Sequence, residues 1–123
     1  MRERVQDMKL LRSIGNTTFC VPAAVALITG EHLDTIENEL REFLGDEPIS
    51  CIYYPIALAL LRKHNFVYQT VSRLTRSGTF LCFTKNHAFV YHDGVYFDNS
   101  CPNGWHTHDM PRTKLMFKVE KAQ

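Results

Sequence analysis

Cys20, His87 and Asp98 carry the side chains that thiol-dependent acyl transfer needs: a nucleophile, a proton carrier and a group to orient it. Cys20 sits in the run Asn16-Thr17-Thr18-Phe19-Cys20-Val21-Pro22, where an Ala- and Leu-rich stretch begins. A thiol at a helix start meets backbone N–H groups without intrahelical partners and the positive end of the helix dipole, and both favour a thiolate. His87 opens the apolar run Ala88–Tyr91. A neutral imidazole there, within hydrogen-bond reach of the thiol, could take its proton and return it to a leaving group.

The third member depends on one register step. If Asp93-Gly94 forms a two-residue turn, His92 pairs with Val95 and the ladder brings His87 opposite Ser100. Asp98 then lies two residues away on the same face, within reach of a diagonal contact. A three-residue loop with a bulge would instead set Asn99 opposite His87 and turn Asp98 to the other side. Asp-Gly favours the two-residue turn and a carboxylate also stabilises imidazolium, so Asp98 is expected, with Asn99 as the alternative.

These residues need elements to hold them. Residues 20–29, CVPAAVALIT, read as a helix with an early proline and a stop at Gly30. Leu33, Ile36, Leu40, Phe43 and Leu44 recur at helical spacing over 32–44, with Gly45 as terminator. Glu31, Asp34 and Glu37 fall in the opening turns of that helix, where the dipole favours them. A third helix begins near Pro55 and ends at Asn65. The second half changes to β-branched and aromatic runs: Phe66–Val71, Thr79–Phe83, Ala88–Tyr91, Val95–Asp98 and Leu115–Val119. Helices followed by neighbouring strands imply an α+β fold, N-terminal helices packed on a C-terminal antiparallel sheet.

The composition narrows the classes. The chain has 123 residues, 45% hydrophobic and 22% charged, the makeup of a single globular domain spanning residues 1–123. A net charge of +1 gives no footprint for nucleic acid or an anionic membrane. The charged N-terminus has no apolar run, and no stretch reaches the roughly 20 apolar residues of a membrane span, so a soluble, cytoplasmic protein is expected. Cys20, Cys51, Cys82 and Cys101 form no C-x-x-C pair and read as free thiols in a reducing compartment, with Cys51 and Cys82 as core residues. Cys101, His106 and His108 do not match a usual zinc spacing. The segment around them reads as a polar loop, with Trp105 as a cover for the site. No cofactor or metal is expected.

The order Cys, His, Asp on helices followed by a hairpin resembles the papain-like cysteine peptidase superfamily. Cys20-Val-Pro-Ala-Ala-Val-Ala-Leu-Ile-Thr-Gly30 and His87-Ala-Phe-Val-Tyr-His-Asp-Gly-Val-Tyr-Phe-Asp98 are similar to its compact bacterial and phage members, which include the bacteriocin-processing peptidases of export transporters. The resemblance spans roughly residues 16 to 99, as an estimate of alignable extent. It implies a thiol hydrolase acting on a peptide or protein, with Cys20 as nucleophile, His87 as base and Asp98 as orienter. It also implies an oxyanion hole from the Cys20 backbone N–H and an upstream amide, for which Asn16 is the candidate. The family usually has Gln further upstream, and many members have Gly where this chain has Val21. A papain-like domain that only binds protein, and a small cell-wall amidase, are the alternatives.

Overall fold

The computed structural model describes residues 19–47, 54–84, 87–98, 101–105 and 115–122, with only the backbone described at 98 and 101–105. Among the described residues three helices come first. α1 (Cys20–Thr29) is apolar around its whole circumference, and Val21 through Ile28 are buried. That makes it the central helix rather than a surface one. Ala23, Ala24 and Ala26 are at most 1% exposed, and such small side chains let neighbouring elements approach closely. Gly30, at φ 78°, ends the helix in the left-handed conformation, its N–H donating to Ala26 O at 2.8 Å.

α2 (Leu33–Leu44) is amphipathic: Leu33, Ile36 and Leu40 are buried, and Leu44 packs at the core margin. Phe43 does not join them. It is 49% exposed, because the inward stripe of this helix is filled by the 33-36-40-44 series and Phe43 lies beside it. His32 caps α2, its Nδ1 accepting from the Asp34 N–H. α3 (Tyr54–Lys63) begins one residue before Pro55 and closes at Asn65, where φ is 71°. At its end, His64 Nε2 lies 2.6 Å from Glu39 Oε1, tying α3 to α2.

Six strands follow: β1 (Phe66–Val71), β2 (Thr79–Phe83), β3 (Ala88–His92), β4 (Val95–Asp98), β5 (Cys101–Trp105) and β6 (Leu115–Lys121). They form one sheet in the order β1-β6-β2-β3-β4-β5, every neighbouring pair antiparallel. The fold is therefore α+β, with helices first and an antiparallel sheet after them. Leu81, Ala88, Val90, Val95, Phe97, Phe117 and Val119 share the main core with the helices. Alternation sends Phe80, Cys82, Phe89 and Tyr96 to the other face, where they form a second buried cluster.

One sequence expectation is corrected here. The segment from Cys101 reads as a polar loop, yet 101–105 is strand β5. Its Pro102 and Gly104 obscure the strand pattern, but both are tolerated at a sheet edge, and β5 lies at one. His106, His108, Cys51 and the side chains of Cys101 and Trp105 lie outside the described residues. Among the described residues no helix is long and apolar enough to cross a membrane.

Candidate active site

Cys20 is the first helical residue of α1, preceded by Phe19 in an extended conformation (φ −97°, ψ 127°). Phe19 has no side-chain oxygen to cap the helix, Pro22 has no N–H, and the first turn holds no acidic residue. The first intrahelical bond, from Ala23 N–H to Phe19 O, is long at 3.4 Å. The partial positive charge of the helix start is thus left uncompensated by any carboxylate of that turn. Cys20 itself is half-buried against the main core.

Its sulfur touches the sheet at one defined point. The Ala88 N–H donates to Cys20 Sγ at 3.3 Å, joining residues 68 apart in sequence. The phase of β3 explains why this donor is open. The Thr84 N–H donates to His87 O at 2.8 Å, so the backbone groups of His87 face β2. Backbone groups of successive strand residues alternate sides, so the Ala88 N–H faces the β4 side. The registered β3–β4 pairs are Val90–Phe97, Tyr91–Tyr96 and His92–Val95; at Ala88, two residues beyond them, the thiol sulfur accepts. Because the sulfur accepts this bond, its own proton is directed elsewhere.

His87 immediately precedes that donor. Its ring stacks on Phe89, with centroids 6.4 Å apart and planes at 24°. Phe89 in turn stacks on Tyr96 at 4.7 Å and 27°. Phe89 and Tyr96 are buried in the second cluster, so the imidazole stacks on the sheet face opposite the main core against which Cys20 packs.

The register expectation for the hairpin is met. Asp93 and Gly94 form a two-residue turn with φ of 49° and 85°, and His92 pairs with Val95. Extending that ladder sets position 98 opposite Phe89, and therefore on the sheet face that carries His87 and Phe89. The backbone of Asp98 ends β4 and pairs with Cys101. The Asp98 side chain, Asn99 and Asn16 lie outside the described residues.

Cys82 differs sharply from Cys20. It is fully buried in the second cluster, and burial pushes its thiol up to about 12. Among the described residues, no group of three or more His, Cys, Asp or Glu side chains is arranged to hold a metal ion. Sequence reasoning about side chains does not reveal the Ala88 N–H, because a backbone donor leaves no residue-type signal; only strand phase exposes it. Phe89, two residues beyond His87 in an alternating strand, was legible as a same-face neighbour. Comparison with protein-family models, characterised proteins and solved structures finds no match.

Proposed function

We propose that this chain is a thiol-dependent hydrolase of papain-like plan, acting on an amide bond of a peptide or protein. The observation that supports it most is the 3.3 Å bond from the Ala88 N–H to Cys20 Sγ, which holds a helix-start thiol against the peptide unit adjoining His87. In this reading the His87 ring, which stacks on Phe89 on the face away from the helices, turns about the end of β3 and accepts the Cys20 proton as sulfur bonds to the substrate carbonyl carbon. The C–N bond then breaks, and the same proton passes to the leaving amine. Water attacks the resulting thioester, giving its proton to His87, and the acid product leaves as Cys20 is regenerated. Asp98 orients the imidazole from the shared face of the hairpin. The Cys20 backbone N–H and Asn16 supply the oxyanion donors, and the chemistry requires no cofactor.

The test is site-resolved alkylation. Iodoacetamide should modify Cys20 at pH 6–7, below the ordinary thiol range of about 8.5, and His87→Ala should slow this by about tenfold or more. Cys82 serves as an internal control that stays unmodified in the native protein. A Cys20 that reacts no faster than a free thiol, with or without His87, would leave the domain a binding role instead. Amide hydrolysis that survives Cys20→Ala would overturn the mechanism outright.

A further inference from the structure

Among the described residues the sheet ends at β5 on one side and at β1 on the other, and the two edges are built differently. β5 carries Pro102 and Gly104, and its pairing with β4 shifts register between Tyr96 and Asp98. Prolines, bulges and irregular pairing are the features that discourage strand addition at an edge. β1, at the opposite edge, has none of them. Its sequence FVYQTV contains no Pro, Gly or charge, and all six residues pair in unbroken register with β6.

The phase of β1 identifies which backbone groups are left over. The Ala122 N–H donates to Asn65 O at 2.7 Å, so Asn65 and the alternate residues Val67, Gln69 and Val71 direct their backbone groups to β6. The N–H and C=O groups of Phe66, Tyr68 and Thr70 therefore point away from the sheet, and among the described residues no strand pairs with them. Of these three residues Thr70 is exposed and Phe66 and Tyr68 are half-buried by their side chains. A row of three donors and three acceptors is a template for an added strand.

Charge selects the occupant. The Arg62 guanidinium lies over the Tyr68 ring at 5.1 Å, and its Nη2 donates to Tyr68 Oη at 2.8 Å, which fixes a cation on the helix side of this edge. Exposed Arg73 follows β1 and exposed Lys121 lies on the neighbouring strand, whereas the Lys118 side chain reaches toward Gly78 on the β2 side. Glu120 is the single carboxylate among these. Lys63, by contrast, is already engaged by Glu39 and Glu42. We infer that the free edge of β1 binds an extended acidic segment of a protein partner as an added strand, with Arg62 pairing a carboxylate on the helix side. A second copy of this chain is a poorer fit. Pairing two β1 edges about Tyr68 would bring the two Arg62 groups together.

The inference is independent of Cys20 chemistry and is tested on the intact chain. The probes are two end-blocked octapeptides, one alternating Glu with Val and the other alternating Lys with Val. In amide-resolved NMR titrations the Glu peptide should bind, perturbing and protecting from exchange the amides of Phe66, Tyr68 and Thr70. The Lys peptide should bind at least about tenfold more weakly, and raising the salt to about 0.5 M should weaken the Glu peptide several-fold. Thr70→Pro removes one outward N–H at a position where proline is tolerated, and should abolish binding. Should that variant misfold, Arg62→Gln leaves the backbone intact and should lower affinity about tenfold. Equal binding of the two peptides, perturbations confined to other strands, or an Arg62→Gln affinity equal to wild type would overturn the inference. So would a concentration-dependent doubling of mass that the Glu peptide does not reverse, which would assign the edge to a second copy.

Discussion

Cys20 owes its setting to what surrounds the start of α1: an N-cap residue, Phe19, with no side-chain acceptor, a proline without an N–H, and a strand donor aimed at the sulfur. A stronger cap and a better nucleophile are therefore opposed demands at this point. Phe19→Asp supplies a carboxylate that can accept from the Val21 N–H, and should raise stability by about 0.5–1 kcal/mol in urea denaturation. The same carboxylate, placed beside the thiol, should slow Cys20 alkylation at pH 7 several-fold. A rise in both stability and reactivity would contradict the role given to the open helix start. Cys82 makes a second prediction, about pH. Its thiol is held near 12 in the folded state against an ordinary 9.0. The unfolded chain therefore ionises first, and the stability contributed by the protonated buried thiol is full below pH 9 and is lost as pH rises toward 12. The unfolding free energy from urea titrations should fall from pH 9 upward with a limiting slope of about 1.4 kcal/mol per pH unit, and Cys82→Ala should flatten that part of the curve.

At the scale of elements, the β3–β4 hairpin sets the geometry shared by positions 87 and 98. Asp93 does more than turn the chain: its Oδ1 accepts from the Gly78 N–H at 2.9 Å, and its own N–H donates to Gly78 O at 2.9 Å. The turn is thus clasped to the start of β2. His92 Nδ1, 2.7 Å from Thr79 Oγ1, adds a side-chain contact across the same end. Asp93→Ala should cost about 1–3 kcal/mol, from the lost bond and from alanine at positive φ, measured by chemical denaturation. Asp93→Asn, which tolerates that conformation and keeps an acceptor, should cost less than half as much. Much of this level was legible beforehand. Gly30, Gly45 and Asn65 mark helix ends because their backbones take positive φ, and Asp93-Gly94 specified its register because few residue pairs suit that turn. β5 was not legible, since an edge strand holding Pro and Gly is defined by its partner rather than by its own pattern. Phe43 misled for a related reason: periodicity assigns a helix face broadly, whereas packing fills a narrower stripe. The nearness of Cys20 to the His87–Ala88 peptide rests on strand phase and helix docking, which no single segment encodes.

At the scale of the whole molecule, strand order is the feature that local sequence least foretells. β6 comes last in the chain yet lies between β1 and β2, matching Tyr68 to Val119 on one side and Leu81 to Phe117 on the other. Phe117 sits at the centre of an aromatic group, with Tyr54, Tyr68 and Phe83 within about 6 Å of its ring centroid. Ending the chain at residue 114 should therefore abolish the cooperative thermal transition, not merely lower its midpoint, as followed by near-ultraviolet circular dichroism. Phe117→Ala should cost about 3–5 kcal/mol. The same arrangement imposes an order in time. On the ribosome, at roughly 5–20 residues per second, synthesis of the strand that must join β1 to β2 begins about 2–9 seconds after Val71 has been made. Until then the nascent chain carries β1 as a lone strand apart from the β2–β5 sheet, whose open edge at β2 lies next to the strand that His87 opens. The interval before β6 arrives is when this protein is most exposed to mispairing, and when a chaperone would find it.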